Sequence, residues 1–164
     1  MKTMPTAMRE MLDTDWPNVC RIYQQGIDSN LATFETVCPA WEEFNSSHTM
    51  DCRYVALQDN SIIGWTALSP ISKRPVYRGV AELSIYINNT NQNKGVGTIL
   101  LTHLIEKSEK AGYWTLQASI ISDNLTSIRL HEKCGFRVVG YRERIGQDRY
   151  GMWRDNILME RRTR

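Results

Sequence analysis

The feature that most constrains this sequence is the stretch 81–111, because its hydrophobic pattern changes period once, at a glycine-containing turn. Over 81–88 apolar and polar residues alternate, which predicts a strand with one buried face. From Thr98 onward apolar residues recur at helical spacing, and Gly112 supplies a stop. The stretch therefore predicts a strand, a tight polar turn and a helix, in that order.

The turn at 88–97 has the features of an anion-binding site. Gln92, Gly95 and Gly97 form a Gln-x-x-Gly-x-Gly pattern where unpaired N–H groups meet the positive end of the helix dipole. Neither glycine carries a Cβ that would hold a phosphate away, and Lys94 adds a nearby cation. Taken alone, the Gly-x-Gly pair is better explained as an ordinary strand-to-helix turn.

Two other phosphate-binding motifs fit this turn less well. A P-loop needs Gly-Lys-Ser/Thr at the end of its glycine loop, and none is present. A dinucleotide-binding fingerprint needs a third small residue at position 100, where the bulky Leu100 stands. The remaining interpretation is a pyrophosphate held by the turn itself, with the rest of the ligand lying along the strand.

Length and composition narrow the class of protein. A chain of 164 residues is long enough for one domain over 1–164 that buries about two-thirds of its unfolded surface. The 20 Lys and Arg residues nearly balance the 18 Asp and Glu residues, so no electrostatic footprint for nucleic acid is present. No signal-peptide h-region and no segment of membrane-spanning length occurs, which predicts a soluble cytoplasmic protein without a membrane partner.

The four cysteines are widely spaced and contain no CxxC pair. Neither a zinc site nor a redox dithiol is supported by this spacing, so we expect no metal and reduced, partly buried thiols. The cysteines are Cys20, Cys38, Cys52 and Cys134.

The remainder of the chain predicts further strands and helices whose order suits a mixed α+β sheet. Strands are expected at 7–11, 53–58, 62–69, 114–120, 136–141 and 152–160, and helices at 13–29, 41–49 and 124–134. A polar, glycine-containing loop is expected at 142–151.

The Gln-x-x-Gly-x-Gly turn between a strand and an amphipathic helix resembles the acetyl-CoA pyrophosphate loop of the GNAT superfamily of N-acetyltransferases. Together with the segments 32–35, 81–87, 124–136 and 150–155, it resembles the phosphinothricin (methionine sulfoximine/sulfone) acetyltransferase family over essentially the whole chain. The resemblance implies the GNAT acyl-CoA N-acyltransferase fold, with a mixed, mostly antiparallel, splayed sheet and helices on both faces. It also implies a bulge in the central strand and a homodimer.

The resemblance further implies how acetyl-CoA, the expected cosubstrate, is bound. Pantetheine fills the gap in the sheet like an extra strand, opposite the backbone of Ile85, Tyr86 and Ile87. The pyrophosphate lies on the turn and first helical residues, and Asn124 binds the pantetheine arm. The pyrophosphate residues are Asn93, Lys94, Gly95, Val96, Gly97 and Thr98.

Asn124, Ser127 and His131 fall on one stripe of their predicted helix, at about 100° of rotation per residue. A polar stripe on an inward face is costly unless it is hydrogen-bonded, which favours contact with a ligand. Asn124 fits a helix cap equally well. Without the resemblance, His131 is better explained as a satisfied core histidine.

Three residues are candidates for substrate binding. Phe34 is explained equally well as core and, by the resemblance, as a wall of an amino-acid pocket. Arg74 and Tyr77 lie in a loop before the central strand, and an arginine fork suits a carboxylate. An isolated loop arginine is more often a solvated charge. The family has Arg-x-Ala-Tyr here and this chain has Arg-Pro-Val-Tyr, so the shape of the loop stays open.

Glu82 is the carboxylate on the polar face of the central strand, and we assign it as the base that takes a proton from the amine, directly or through water. The resemblance makes His131 its partner or an alternative base. No base stands beside Cys134, so direct transfer in a ternary complex is favoured over an acetyl-enzyme. The expected substrate is a small amino acid such as phosphinothricin or methionine sulfoximine or sulfone. The alternatives are a protein N-terminus, lysine or polyamine substrate, and a non-catalytic acyl-CoA-binding module.

Overall fold

The computed structural model describes residues 6–163, and their strands form one sheet in the order β1-β2-β3-β4-β5-β7-β6. The strands are β1 (Ala7–Glu10), β2 (Tyr54–Gln58), β3 (Ser61–Pro70), β4 (Val80–Ile87), β5 (Thr115–Ile121), β6 (Arg137–Gln147) and β7 (Trp153–Arg162). Neighbouring strands are antiparallel except β4 and β5, which are parallel. The expected mixed, mostly antiparallel sheet is confirmed.

Helices cover both faces of this sheet, as expected. They are α1 (Trp16–Asp28), α2 (Trp41–Ser47), α3 (Val96–Lys110) and α4 (Leu125–Lys133). On one face Leu100 and Leu104 of α3 are buried against Leu83 of β4. On the other face Ile22 and Phe44, from α1 and α2, are buried against the centre of the sheet. Each such aliphatic or aromatic side chain contributes about 1.5–3 kcal/mol by its burial, so the alternation in the central strands determines which helix packs on which face.

Helix α3 begins at Val96, earlier than the expected Thr98, because the turn ends in a left-handed residue. Gly95 is the N-cap with φ of 84°, a conformation that glycine adopts without the steric cost of a Cβ. The helix ends at Lys110, and Gly112 follows with φ of 96°. The predicted strand, turn and helix are therefore confirmed, with a shift in one boundary.

Strand β6 is longer than the sequence indicates. The expected loop at 142–151 is wrong, because β6 continues to Gln147 and pairs there with Trp153 of β7. The register between the two strands shifts between Arg142 and Gly146, which accommodates the irregular stretch. Since β6 is the last strand of the sheet, it is exposed along most of its length and carries the polar composition of a loop.

The sheet opens between β4 and β5, and it does so without a bulge in β4. The register between β3 and β4 is continuous from Gly64–Ile87 to Pro70–Ala81, so the expected bulge in the central strand is wrong. Strands β4 and β5 pair only from Val80–Thr115 to Glu82–Gln117. Beyond Glu82 the two strands diverge, since β5 stays paired with β7 as far as Ile121. Because the two strands diverge, the edge of β4 that faces β5 has no strand partner beyond Glu82 within residues 6–163.

Two of the four cysteines are joined, contrary to the expectation of reduced thiols. A disulfide links Cys20 of α1 to Cys38, and their Cα atoms lie 6.1 Å apart, within the usual range for such a bond. Cys52 and Cys134 are free. The pairing depends on how the segment after α1 folds back on the helix, which the spacing of the cysteines does not reveal. Because disulfides are rare in reducing compartments, the cytoplasmic location stays a prediction.

None of the helices between residues 6 and 163 combines the length and the apolar character that crossing a bilayer requires.

Candidate active site

A cavity of about 280 Å³ lies where β4 and β5 diverge. It is lined by residues 32–35, 82–86 and 118–121, together with Asn124, Ser127, His131 and Asn156. The cavity therefore brings together seven predicted site residues from three parts of the chain: Phe34, Glu82, Ile85, Tyr86, Asn124, Ser127 and His131.

Glu82 belongs to a chain of polar contacts that begins at the cavity wall. The hydroxyl of Ser119 donates a hydrogen bond to Oε1 of Glu82 at 2.7 Å. The same hydroxyl oxygen accepts a bond from Nη2 of Arg142 at 3.1 Å, and Nε of Arg142 donates to Oδ1 of Asn156 at 2.8 Å. Ser119, Arg142 and Asn156 are not among the site residues predicted from the sequence. Ser119 carried a weak signal as a polar residue in an apolar strand, whereas Arg142 could not be placed while its segment was interpreted as a loop.

His131 is buried, with 1% of its surface exposed. Its Nδ1 donates a hydrogen bond to the carbonyl oxygen of Ser127 at 2.7 Å. Its Nε2 is buried and has no hydrogen-bond partner within residues 6–163. Burial lowers the pKa of His131, and the bond to the Ser127 carbonyl opposes this only in part. His131 is therefore a neutral imidazole near pH 7, with an unshared acceptor nitrogen.

Glu82 and His131 line the same cavity without a direct contact. No hydrogen bond joins them in the part of the chain that the structure describes. Oε1 of Glu82 is bonded to Ser119, and Nδ1 of His131 is bonded to Ser127. A direct carboxylate–imidazole pair is therefore not formed. The two groups are separate proton acceptors on one cavity.

Asn124 is the N-cap of α4. Its Oδ1 accepts a hydrogen bond from the N–H of Ser127 at 3.2 Å, and its amide nitrogen lies 3.5 Å from the carbonyl oxygen of Leu31. The cap that the sequence allowed is present. Asn124 also lines the cavity, so the cap and a ligand contact are compatible.

The N-terminus of α3 presents unpaired backbone donors. The first helical bond runs from the N–H of Ile99 to the carbonyl of Gly95 at 3.2 Å, so the N–H groups of residues 96–98 have no acceptor within the helix. A Cβ built at Gly95 would meet no atom within 4 Å. The surface above Gly95 is therefore open to a ligand, and the exposed Asn93 and Lys94 flank it.

At position 97, the packing of α3 against α4 explains the glycine. A Cβ there would lie 3.1 Å from Cδ2 of Leu130, closer than most side-chain contacts allow. The missing Cβ at Gly97 lets α3 approach α4, and the end of β4 is close as well, since Cγ1 of Ile87 would lie 3.9 Å from that Cβ. Residues 93–98 are not among the residues that line the cavity.

The groups of β4 that are available to a ligand at its open edge are backbone groups. The ring of Tyr86 is not available, because it is packed against other aromatic rings. That ring stacks on Trp65 at 4.9 Å and on Tyr23 at 5.0 Å between centroids. Burial raises the pKa of the Tyr86 hydroxyl above its ordinary value. The polar groups of Ile85, Tyr86 and Ile87 that remain for a ligand are those on the strand edge that faces β5.

Phe34 lies on a cavity wall that the β6–β7 hairpin supports. A Cβ at Gly146 would lie 3.3 Å from its ring, so Phe34 packs directly on that glycine. Nη1 of Arg154 donates to the carbonyl of Asn30 at 2.9 Å, and Nη2 of Arg149 donates to that of Thr36 at 3.4 Å. Phe34 is half-buried, lines the cavity and belongs to neither buried core cluster, so the interpretation of it as a core residue is wrong, and its role in an amino-acid pocket stays a prediction.

Arg74 and Tyr77 are not brought to the cavity. They lie in a short 3-10 turn at Pro75–Tyr77, where the guanidinium of Arg74 lies 5.6 Å from the ring centroid of Tyr77. Both side chains are exposed, and neither lines the cavity.

Residues 6–163 contain no group of three or more His, Cys, Asp and Glu side chains arranged to hold a metal ion.

Residues 7–136 match the Acetyltransferase (GNAT) family. The chain belongs to this family. It is an N-acetyltransferase of GNAT type with acetyl-CoA as its cosubstrate, and the expected fold, enzyme class and cosubstrate are confirmed. The phosphinothricin N-acetyltransferase of Alcaligenes faecalis is 31% identical over 94% of this chain and 81% of its own length.

Two further proteins are similar over nearly the whole chain. The L-methionine sulfoximine/L-methionine sulfone acetyltransferase of Pseudomonas paraeruginosa is 26% identical over 96% of this chain and 94% of its own length. The crystal structure of a phosphinothricin acetyltransferase from Sinorhizobium meliloti in complex with AcCoA superposes with a TM-score of 0.88 and 28% identity, over 97% of this chain and 89% of the other. The resemblance found in the sequence is confirmed.

Proposed function

We propose that this enzyme transfers an acetyl group from acetyl-CoA to the α-amine of a small amino-acid-like substrate, by direct transfer in a ternary complex. The substrate class is that of phosphinothricin, methionine sulfoximine and methionine sulfone. The observation that carries the proposal is the cavity at the divergence of β4 and β5, which joins two proton acceptors, Glu82 and His131, to an open strand edge. The names of the relatives support the substrate class.

The residues present fit the coenzyme. The donors at 96–98 and the open surface above Gly95 suit a pyrophosphate. The open edge of β4 suits the amide groups of pantetheine, with Asn124 and Ser127 facing it across the gap. Acetyl-CoA supplies an acetyl group activated as a thioester.

Acetylation of an amine requires alignment, removal of a proton and stabilisation of negative charge. A free N–H on the β4 edge, among residues 85–87, supplies a hydrogen bond to a carbonyl oxygen on which negative charge develops. Glu82 removes the proton from the amine, directly or through water. Its bond to Ser119 occupies one oxygen and leaves the other for this task. His131 Nε2 is the second acceptor, and it holds a water or the amine in place.

The free cysteines do not suit an acetyl-enzyme. Burial raises the pKa of the Cys134 thiol and raises that of Cys52 to about 12. Neither cysteine lines the cavity. A thiol that stays protonated and lies away from the cavity is a poor nucleophile, which supports direct transfer.

The test is release of free thiol from acetyl-CoA, measured with a panel of acceptors. The panel contains phosphinothricin, methionine sulfone, a peptide with a free N-terminus, a lysine derivative and a polyamine. We expect turnover with the first two. Turnover with only the peptide, lysine or polyamine would replace the proposed substrate class, and binding of acetyl-CoA without turnover on any amine would indicate a non-catalytic module.

We also propose a homodimer, as the resemblance implies. Support comes from apolar side chains exposed on β6 and on the turn and strand that follow it. These are Val138, Val139, Tyr141, Ile145, Tyr150, Met152 and Trp153. Sedimentation equilibrium tests the proposal: we expect a dimer for the wild type and dissociation in the Val138→Asp, Val139→Asp double variant, whereas a wild-type monomer at micromolar concentration would contradict it.

A further inference from the structure

We propose that Arg142 binds the carboxylate of the amino-acid substrate, while Glu82 faces its amine. This inference rests on the proposed function and names the residue that selects amino acids over other amines. Arg142 stands on the edge strand β6, far in sequence from the loop in which a substrate arginine was expected.

Arg142 is not itself a lining residue of the cavity, but two hydrogen bonds hold its guanidinium against residues of the cavity wall. Its Nη2 donates to Ser119 at 3.1 Å and its Nε donates to Asn156 at 2.8 Å. Both acceptors belong to residues that line the cavity. Because the guanidinium is planar and rigid, two bonds from different nitrogens determine its orientation.

Arg142 keeps free donors in this position. Of the five N–H bonds of a guanidinium, the contacts to Ser119 and Asn156 use two, and Nη1 has no partner among residues 6–163. No carboxylate within that range forms an ion pair with Arg142, whereas Arg154 and Arg161 are both paired with acids. Arg142 is exposed in the single chain, on the strand whose apolar side chains support the proposed homodimer. An unpaired cation beside a cavity, with donors left over, is suited to an anion.

The spacing between Arg142 and Glu82 matches one amino-acid head group. Both side chains contact the same oxygen of Ser119, at 2.7 and 3.1 Å, so their charged atoms lie within about 6 Å of each other. In an α-amino acid the amine and the carboxylate share one carbon, and their polar atoms are about 3 Å apart. An amine against Glu82 thus places the carboxylate within reach of Arg142.

The other charged side chains around the cavity do not suit the binding of a substrate carboxylate. The acidic side chains that line the cavity are Glu35 and Glu82, and His131 is neutral near pH 7. These groups attract an amine but repel a carboxylate. The guanidinium of Arg74 lies against the ring of Tyr77 and, among residues 6–163, has no hydrogen bond to a residue of the cavity wall. Among residues 6–163, Arg142 is the arginine whose guanidinium is hydrogen-bonded to two residues of the cavity wall, Ser119 and Asn156.

The test compares methionine sulfone with the amine that lacks its carboxylate, 3-(methylsulfonyl)propylamine. We expect Arg142→Met to raise KM for methionine sulfone by about 10- to 100-fold, as for loss of a charged hydrogen bond. The kcat of Arg142→Met, and its KM for 3-(methylsulfonyl)propylamine, should change little. Arg142→Lys keeps the charge without the fork and should lie between Arg142→Met and the wild type.

Arg144→Met is the matched control, because Arg144 is also on β6 but stacks on Trp153 at 4.9 Å. It should leave the preference for methionine sulfone over the amine unchanged. An equal preference in Arg142→Met and the wild type would overturn the inference. So would loss of the preference in Arg74→Ala alone, which would place the carboxylate site in the loop.

Calorimetric binding of methionine sulfone in the presence of coenzyme A separates this inference from the proposed function. If no amine is acetylated, the proposed function fails, and weaker binding by Arg142→Met than by Arg144→Met still supports the carboxylate site. Absence of any binding of methionine sulfone to the wild type would overturn the inference. Acetylation of amines without a preference for the amino acid would overturn it and leave an N-acetyltransferase of other substrates.

Discussion

The carbonyl oxygen of Ser127 lies 2.7 Å from Nδ1 of His131, one turn later in α4. A carbonyl can only accept a hydrogen bond, so Nδ1 carries the hydrogen and Nε2 keeps its lone pair. Since burial also lowers the pKa of His131, the imidazole stays neutral near pH 7. The helix itself therefore sets the protonation state of a side chain on the cavity wall.

The first prediction concerns acid stability. An imidazole whose pKa is lower in the folded state binds fewer protons there than in the unfolded chain, so stability is lost as pH falls below the unfolded value of about 6.5. We expect the melting temperature of the wild type to fall more between pH 7.5 and 5.5 than that of His131→Asn. Thermal unfolding at both pH values measures the difference. His48 and His103, whose pKa values are also lowered by burial, are present in both proteins and cancel. Equal acid losses would argue against a buried neutral His131.

The second prediction concerns the proposed base. Glu82→Gln keeps the shape and the bond to Ser119 but cannot accept a proton, so we expect kcat to fall by about 10²- to 10⁴-fold with little change in KM for acetyl-CoA. Glu35→Gln removes another carboxylate of the same cavity and should change kcat by less than about tenfold. Steady-state kinetics with phosphinothricin measures both. Full activity of Glu82→Gln together with an inactive His131→Asn would transfer the role of base to His131.

The third prediction separates backbone strain from coenzyme binding. Gly95 and Gly112 have φ of 84° and 96°, and a Cβ meets nothing within 4 Å at either one. Alanine at each position should therefore cost about 1–2 kcal/mol through its backbone conformation. Because Gly95 precedes the anion-binding end of α3, only Gly95→Ala should also raise KM for acetyl-CoA, by about 5- to 30-fold. Unfolding measurements and kinetics on both variants check this, and an unchanged KM in Gly95→Ala would place the pyrophosphate elsewhere.

The fourth prediction concerns the cysteines. A disulfide between Cys20 and Cys38 leaves Cys52 and Cys134 free. Titration of denatured, unreduced protein with a thiol reagent should find two thiols per chain, and prior reduction should raise the number to the four cysteines of the sequence. Serine at Cys20 and Cys38 together should leave the unreduced count unchanged. Four thiols before reduction would contradict the disulfide.

Some features of the site followed from local pattern. The change of period around Gly95 predicted β4, the turn and α3, because strand and helix periodicities are properties of neighbouring residues. The stripe of Asn124, Ser127 and His131 likewise followed from helical spacing, and all three residues line the cavity.

Features that depend on distant pairing were missed. The strand character of 142–147 comes from β7 and not from its own polar residues, so Arg142 was assigned to a loop. The expected bulge in β4 was wrong because the sheet opens by divergence from β5.

The family, the element order and the residues of the central strand and turn could be predicted from the sequence, because these depend on short-range periodicity and on motifs within one segment. Three features became visible in the folded chain alone: the contact of Glu82 with Ser119, the contact of Ser119 with Arg142, and the position of Arg74 outside the cavity lining. Such contacts depend on how strands far apart in the chain align across a sheet, and strand register is set by the packing of the whole domain.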